Sequence, residues 1–327
     1  MNPQRFSAML TLLGGLLTSL AAPVQAQGTY PNRPIRMIVP LAAGSAVDNA
    51  ARIVASKMSV NLGQQIVIEN QPGAAGLIGA ERVAKAAPDG YTIGGFNDSI
   101  MTMVPNLQSK MPWDILRDFV PISLVATVEW GLVAHNDAPY QNAGGLIAAA
   151  RAAPDKINYG SGGNGSPQHI AMALFAANAG VSLRHVPYKG ATQAAVGVAG
   201  GEVPVAFQGL ATVATLVKGG KLKLIGVTTR SRLAQFADVP TVAESGLPGF
   251  EFNSWFAMMA PTGTPKEAIA RLNAEVVKAL ADPEVRDKLV AIGLTPKGSS
   301  PDELGTATRE QFARYARLIK AAGISAD

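Results

Sequence analysis

Residues 35–62 read IRMIVPLAAGSAVDNAARIVASKMSVNL, and this stretch decides the fold class. The apolar run Ile35–Val39 is typical of a short buried strand, and apolar residues recur at helical spacing over residues 48–62. Asp48 stands near the start of that helix and is predicted to cap it. Small residues join the two elements, so the stretch is predicted to form a strand, a loop and a helix.

The same unit recurs along the chain, which predicts an α/β protein built around mostly parallel sheets. A break near Trp130 divides the units into two sets of similar size and predicts two lobes. Three helices, starting near residues 264, 283 and 300, are predicted to end the chain. The other predicted strands are 66–69, 91–96, 131–134, 157–159, 183–187, 203–207, 222–228 and 255–260, and the other predicted helices are 77–87, 143–153, 167–179 and 191–199.

Length and composition exclude several classes of protein. A chain of 327 residues favours two domains, and 48% hydrophobic residues supply enough apolar side chains for a folded core. The absence of cysteine excludes a disulfide framework, a Cys-ligated metal site and a thiol nucleophile. The net charge of +5 is spread along the chain without a basic run interleaved with aromatic residues, so no nucleic-acid partner is expected.

The first 26 residues are predicted to be a cleaved signal peptide. Arg5 precedes a mostly apolar stretch, and small residues precede the expected cleavage site after Ala26. A membrane anchor is the alternative, but the apolar stretch is short and contains Gly14, Gly15 and Ser19. The mature protein is therefore expected in the periplasm.

Two glycine- and serine-containing loops stand between a strand and a helix. Residues 160–165, GSGGNG, match a dinucleotide-binding pattern, but no Asp or Glu occurs over residues 156–201 to hold a ribose, so no cofactor is expected. The glycines, Ser161, Ser166 and the helix N-terminus at Pro167 instead predict an anion-binding loop. A tight turn without a ligand is the alternative.

The loop over residues 40–48 repeats this chemistry, since Gly44 and Ser45 directly precede a helix. It is predicted to be a second anion-binding loop. Residues 70–76, NQPGAAG, could form a third wall of the same site, but a simple turn is the favoured interpretation.

Catalytic and metal-binding signatures are absent from the sequence, so an enzyme is not expected and neither is a metal site. His169 lies in the first turn after the second loop, where it could contact a ligand or cap the helix. His135 and His185 lie at strand ends and are predicted to be structural. An exported hydrolase using Ser166 as nucleophile and His169 as base is a disfavoured alternative.

Ordered sequence blocks resemble one family over essentially all of the mature chain. The blocks are YPNRPI (30–35), NQPGAAG (70–76), PDGYT (88–92), NYGS (158–161), GS (165–166) with His169, HVPYKG (185–190), PTVAE (240–244) and APTGTP (260–265). They are similar to the extracytoplasmic solute-binding proteins of tripartite tricarboxylate transporters, the Bug proteins. The resemblance implies a type II periplasmic-binding-protein fold, with two α/β lobes joined by a hinge. Lobe one would consist of residues 27–128 and 252–327, and lobe two would consist of residues 129–251.

The resemblance also implies a set of ligand-binding residues by position. These are Ala43, Gly44, Ser45 and Asp48 in lobe one, and Ser161, Gly162, Gly165, Ser166, His169, Tyr188 and Gln208 in lobe two. The first loop departs from the family pattern Pro-Phe-x-Pro-Gly-Gly-x-x-Asp, because residues 40–48 read PLAAGSAVD. Many members carry an Asp where this chain has Gln208, so an amino-acid ligand is disfavoured, because a buried ammonium group would lack a counter-charge.

The predicted function is the capture of a small organic acid, a di-, tri- or aromatic carboxylate, and its delivery to the membrane subunits of a transporter. The protein is expected to act as a monomer. A periplasmic sensing module that signals to a membrane receptor is the alternative. Trp130 could stack on an aromatic acid, although packing near the hinge is the favoured interpretation.

Overall fold

The computed structural model describes residues 30–108, 110–321 and 324, and the predicted signal peptide lies outside them. Strand β1 (Ile35–Val39) and helix α1 (Ala46–Leu62) form the predicted unit. The prediction that Asp48 caps α1 is wrong, because Ser45 is the N-cap residue. Its hydroxyl accepts the N–H of Asp48 at 3.3 Å, which starts the helix two residues earlier.

The first sheet has six strands in the order β11-β4-β10-β3-β1-β2. Its strands after β1 are β2 (Ile66–Asn70), β3 (Thr92–Asn97), β4 (Phe119–Val128), β10 (Ser254–Pro261) and β11 (Leu294–Pro296). With it lie α1, α2 (Leu77–Ala84), α7 (Lys266–Ala281), α8 (Pro283–Ala291) and α9 (Pro301–Ala321), as well as a π-helical turn at Ser99–Met103. The three predicted terminal helices are confirmed by α7, α8 and α9.

The second sheet has five strands in the order β7-β6-β8-β5-β9. Its strands are β5 (Trp130–Ala134), β6 (Asn158–Ser161), β7 (Arg184–Pro187), β8 (Val205–Gly209) and β9 (Lys223–Val227). Its helices are α3 (Ala143–Ala152), α4 (Pro167–Ala179), α5 (Ala191–Ala199) and α6 (Leu210–Lys218). The predicted bounds of α4 and α5 are confirmed, whereas α6, β4 and β11 were missed.

The prediction of mostly parallel sheets is wrong. Within the described residues, five of the nine strand pairings are antiparallel, and each of the five involves β5 or β10, or joins β11 to β4. The strand-loop-helix units do pair in parallel, as β1 does with β2 and β3. Strands β4, β5 and β10 lie where the chain passes between the sheets, and their antiparallel pairing does not require a helical crossover.

The chain passes between the sheets twice, after Val128 and before Ser254, and the two crossings lie side by side. The indole N–H of Trp130 donates to Ser254 Oγ at 2.8 Å, and the ring packs edge-on against Phe252 at 5.2 Å. The hydroxyl of Thr228 donates to the Phe252 carbonyl oxygen. These contacts tie the two connections to each other.

A membrane-crossing helix is not found in the part of the chain that the structure describes, where none is long and apolar enough to span a bilayer.

Candidate functional site

A cleft of about 500 Å³ lies between the two sheets. The first sheet contributes residues of the first loop and of the turns after β2 and β3, and the second contributes residues around the starts of α4, α5 and α6. Polar side chains in the lining are Ser45, Asn97, Ser99, Gln108, Asn164, Ser166, Gln168, Tyr188, Lys189, Thr212 and Ser254. Lys189 is the one charged residue in this lining, and it is exposed.

The first loop (residues 40–48) forms one wall. Gly44 adopts a positive φ of 76°, which L-residues with a side chain rarely adopt, and Ser45 follows as the N-cap of α1. Ser45, Ala46 and Val47 line the cleft, so the N-terminus of α1 meets it directly. The N-terminal N–H groups of a helix have no intrahelical acceptor and carry the positive end of its dipole.

Asp48 fixes the shape of this wall from behind. It is 2% exposed, and its Oδ2 accepts the Gly44 N–H at 2.9 Å and the Arg52 Nε–H at 3.0 Å. Its Oδ1 accepts an N–H of Asn70 at 2.9 Å. The carboxylate lies outside the cleft lining and connects the first loop to the end of β2.

The second loop (residues 160–166) forms the opposite wall with the same geometry. Gly165 also has a φ of 76°, and Ser166 is the N-cap of α4, accepting the His169 N–H at 3.4 Å. His169 occupies the position that Asp48 has in α1, and its Nδ1 accepts the Gly165 N–H at 3.1 Å. Gly162 and Ser166 line the cleft, whereas Gly165 and His169 lie behind it.

Ser161 braces the second loop from inside the lobe. It is fully buried, its Oγ accepts the Gly163 N–H at 3.0 Å, and it lies 2.5 Å from His185 Nε2. The His185 ring stacks between Tyr159, at 5.0 Å, and His169, at 4.3 Å. The structure therefore places Ser161 among the supports of the loop and outside the cleft lining.

Both imidazoles in this stack favour the neutral form. Burial lowers the pKa of His169, and burial together with the charge that His169 would carry lowers the pKa of His185 to about 4. The predicted structural role of His185 agrees with these contacts. Its contact with Ser161 could not have been found from sequence spacing, since 24 residues separate the two side chains.

Amide side chains close the floor of the cleft in the second lobe. Gln208 is fully buried, donates to the Ala191 carbonyl oxygen at 3.2 Å and accepts an N–H of Gln168 at 3.4 Å. Gln168 lines the cleft and Gln208 lies behind it. Tyr188 lines the cleft with its hydroxyl bonded to Glu202 at 3.0 Å.

Residues 72–76 form a third wall, so the favoured interpretation of this segment as a simple turn is wrong. Ala74 and Ala75 have φ values of 46° and 53°, which are strained for residues with a Cβ. Gly76 precedes α2, so this helix also begins at the cleft. Strained backbone held at a cleft is a frequent mark of a functional surface.

Direct hydrogen bonds join the two walls across the cleft. The Ala46 N–H donates to Thr212 Oγ1 at 2.9 Å, and Thr192 Oγ1 donates to the Ala43 carbonyl oxygen at 2.9 Å. Further along, Asn49 donates to the Ala211 carbonyl oxygen at 2.8 Å. The walls are thus in contact, and Ala43 and Gly44 lie at this contact beside the lining residues.

Sequence reasoning missed Thr212 and Ser99 as cleft residues. Thr212 lies in the first turn of α6, whose apolar residues at 210, 213, 214 and 217 have helical spacing and could have predicted the helix. Ser99 donates to the Gly165 carbonyl oxygen at 3.1 Å from the π-helical turn, which leaves no comparable pattern in the sequence.

The described residues show neither a metal-binding cluster nor the Ser166–His169 side-chain pair of the hydrolase alternative. The described residues contain no cluster of three or more His, Cys, Asp or Glu side chains that could hold a metal ion. Ser166 Oγ accepts the backbone N–H of His169, and the ring Nδ1 accepts the Gly165 N–H. The side-chain pairing that a Ser-His nucleophile needs is therefore not formed between these two residues.

Comparison with known proteins gives a consistent result. The model of the tripartite tricarboxylate transporter family receptor matches residues 50–324. BugT of Bordetella pertussis (strain Tohama I) is 34% identical over 318 residues, which cover 96% of this chain and 97% of BugT.

Solved structures of similar fold include two with bound acids. The R. palustris protein Rpa4515 with adipate is 34% identical, with a TM-score of 0.88 over 90% of this chain and 99% of that one. MatC from Rhodopseudomonas palustris with bound malate is 30% identical, with a TM-score of 0.84 over 89% of this chain and 100% of that one. The two-lobed α/β arrangement is therefore shared with periplasmic binding proteins.

Proposed function

The chain belongs to the tripartite tricarboxylate transporter family of receptors, periplasmic carboxylate-binding proteins that serve a membrane transporter, and we propose that it binds a dicarboxylate across its cleft. One carboxylate would lie against Ser45 and the first N–H groups of α1. The other would lie against Gly162, Ser166 and the starts of α4 and α5. The remaining predicted site residues, Ala43, Gly44, Asp48, Ser161, Gly165, His169, Tyr188 and Gln208, would shape these two walls.

The convergence of helix N-termini carries this proposal. Helices α1, α2, α4, α5 and α6 all begin at the cleft, and residues from the start of each, or its N-cap, line it. Each helix start carries a partial positive charge, and the first-turn N–H groups that are not already bonded within the protein can donate to a ligand, so together they favour an anion. Arginine is absent from the lining, and this dipole-based recognition does not need one.

The sides of the cleft between the two loops suit the carbon chain of an organic acid. Leu41, Ile100, Val128 and the ring of Trp130 contribute apolar surface there. A ligand with charged ends and an apolar middle matches this distribution. Rpa4515 with adipate and MatC with malate support the same ligand class.

Amino acids are poor candidates for the ligand. Among the residues that the structure describes, the cleft lining contains no Asp or Glu, and the buried polar groups of the floor are the neutral amides Gln168 and Gln208. An ammonium group enclosed there would lose its hydration without gaining a counter-charge. We therefore expect acids without an amino group to bind more tightly than aspartate or glutamate.

Closure around the ligand is the proposed mechanism. The lobes (residues 27–128 with 252–327, and 129–251) would rotate about the paired crossings at Trp130 and Ser254. A ligand that contacts both walls only in the closed form shifts the equilibrium by its differential affinity. One chain supplies both walls, so we propose that the protein acts as a monomer and presents the closed form to the transporter's membrane subunits.

Thermal unfolding of the mature protein with a panel of aliphatic and aromatic mono-, di- and tricarboxylates and acidic amino acids tests the proposal. A ligand at 100 times its Kd should stabilise the protein by ~2.7 kcal/mol. Gly162→Val should abolish the shift, since a Cβ at Gly162 lies 3.0 Å from the Ala191 nitrogen at the start of α5. Gly200→Ala, outside the lining, is the matched control. Stabilisation by neutral or cationic solutes alone would overturn the proposal.

Transport is distinguished from sensing by deletion of the gene. Deletion should abolish uptake of the acid that stabilises the protein. Unchanged uptake together with altered gene expression would instead support a sensing module.

A further inference from the structure

We propose that His169 is a positioning residue that makes the second wall of the cleft, and with it carboxylate binding, depend on a neutral imidazole. This inference rests on the proposed function and identifies a control on it. It comes from a geometry that both loops share. The side chain three residues after the N-cap serine, Asp48 or His169, accepts the N–H of the glycine that precedes this serine.

The hydrogen bond between Gly165 and His169 defines the protonation state of the ring. Nδ1 accepts a backbone N–H at 3.1 Å, so Nδ1 must carry a free lone pair and the proton of the neutral ring must be on Nε2. If Nδ1 were protonated, its N–H would face the Gly165 N–H, and neither group could accept a hydrogen bond from the other. The Gly165 N–H would then lose its acceptor, and the backbone at φ 76° would lose the contact that holds it.

His185 supports the other end of the loop through Ser161. It lies 2.5 Å from Ser161 Oγ, which accepts the Gly163 N–H at 3.0 Å. The parallel rings of His169 and His185 have centroids 4.3 Å apart. A positive charge on one ring therefore disfavours protonation of the other. The two imidazoles therefore brace Gly163 and Gly165, which flank the cleft residue Asn164. The brace through His169 requires a neutral ring, whereas Ser161 Oγ can accept the Gly163 N–H in either protonation state of His185.

The surroundings of the two rings contain few other titratable groups. From β6 the ring of Tyr159 stacks on His185, and each histidine faces the other. Strand β8, which packs against α4, contains no titratable residue. Burial lowers the pKa of both histidines, so the neutral state prevails near pH 7 and is lost in acid.

The first wall is held by a carboxylate at the equivalent position, where Asp48 accepts the Gly44 N–H. Protonation of His169 removes the acceptor of the Gly165 N–H, so acidification should release the second wall. Loss of this wall would weaken the contacts of the carboxylate ligand with the second lobe and leave its contacts with the first lobe in place.

The test measures the Kd for adipate from pH 7.5 to pH 4.5 by calorimetry for the wild type, His169→Asn and His169→Phe. Asn keeps an acceptor that does not titrate in this range, whereas Phe keeps a ring without an acceptor. Protonation of adipate affects all three proteins equally and cancels in their ratios. Between the two pH limits the wild type should lose about tenfold more affinity than His169→Asn. His169→Phe should bind about tenfold more weakly than His169→Asn at pH 7.5.

Identical pH profiles for the wild type and His169→Asn would overturn the inference. A second measurement on the ligand-free wild type does not require a variant to fold: imidazole ¹⁵N shifts should show His169 with its proton on Nε2 at pH 7.5. A proton on Nδ1 would also overturn the inference. If adipate and every other acid of the panel fail to bind the wild type, the proposed function fails, and the ¹⁵N measurement still decides the role of His169.

Discussion

The two loops that face each other across the cleft have the same backbone and different supports. In each, a glycine with φ of 76° precedes a serine N-cap, with φ and ψ of −66° and 162° at Ser45 and −65° and 157° at Ser166. Behind the first loop lies Asp48 with Arg52 and Asn70, and behind the second lie aromatic and imidazole rings. We infer that the shared backbone geometry is what binds the anion. The side chain behind each loop then determines the pH range in which that geometry is stable.

Removing the support of the first loop should have the largest effect. Asp48→Ala leaves the Gly44 N–H without its acceptor, removes one acceptor of the Asn70 amide and takes the carboxylate partner from Arg52. We expect a loss of ~3 kcal/mol in the free energy of unfolding. Asp48→Asn keeps an acceptor oxygen and should lose less than half of that. Urea unfolding of both variants measures the difference, and equal stability of Asp48→Ala and the wild type would show that the first loop needs no such support.

The pH dependence of stability should separate the two lobes. Burial raises the pKa of Asp98 in lobe one to about 8, against an ordinary value of 3.8, so native Asp98 holds a proton that the unfolded chain releases. Stability should therefore fall as pH rises from about 4 to about 8, with a slope of up to ~1.4 kcal/mol per pH unit. Asp98→Asn should remove this slope.

The opposite slope is expected from lobe two. The pKa of His185 falls from 6.5 to about 4, so below about pH 6.5 the unfolded chain binds a proton that the native protein does not. Stability should therefore fall as pH drops from about 6.5 to about 4. His185→Gln should reduce this acid-side loss to the part that His169 contributes and leave the Asp98 slope intact. Unfolding curves at closely spaced pH values measure both slopes, and an unchanged acid-side slope in His185→Gln would contradict the assignment.

Substitution of the two positive-φ glycines should show that the loops are equivalent. Gly44→Ala and Gly165→Ala should each lose ~1–2 kcal/mol of stability because both force an alanine into the left-handed region. The nearest atoms to an added Cβ lie at 3.6 Å and 3.4 Å, so backbone strain dominates in both. A loss in only one variant would show that the shared geometry is coincidental.

The N-cap serines should give the smallest and most evenly matched effect. Ser45→Ala and Ser166→Ala each remove an acceptor for the N–H three residues later, and each should lose ~1 kcal/mol. Thermal unfolding of the two variants and of Ser300→Ala, a matched serine at the start of α9 far from the cleft, measures this. Adipate affinity should fall in the first two variants and remain unchanged in the third.

The sequence predicted both loops, since each places a Gly-Ser pair between a buried strand and an apolar-periodic helix. It could not predict which side chain supports each loop. The bonds from Asp48 to Asn70 and from Ser161 to His185 depend on how strands pair and how helices lie on them. Their sequence separation leaves no local pattern.

The errors have similar physical origins. Helix α6 was missed because its short, β-branched apolar run reads equally well as a strand. The parallel sheet prediction failed because repeated strand-loop-helix units do not reveal where the chain changes sheets. The third wall was considered but not favoured, because the left-handed backbone at Ala74 and Ala75 is unusual for alanine and leaves no pattern in the sequence.

The central claim is that one dicarboxylate lies between the two loops and contacts both. Titration of the ¹⁵N-labelled protein with adipate, followed through the backbone amide resonances of Ala46, Val47, Gly162 and Asn164, tests it most directly. All four should shift together and saturate at one equivalent of ligand. Shifts confined to one loop, or saturation of the two loops at different ligand concentrations, would contradict the claim.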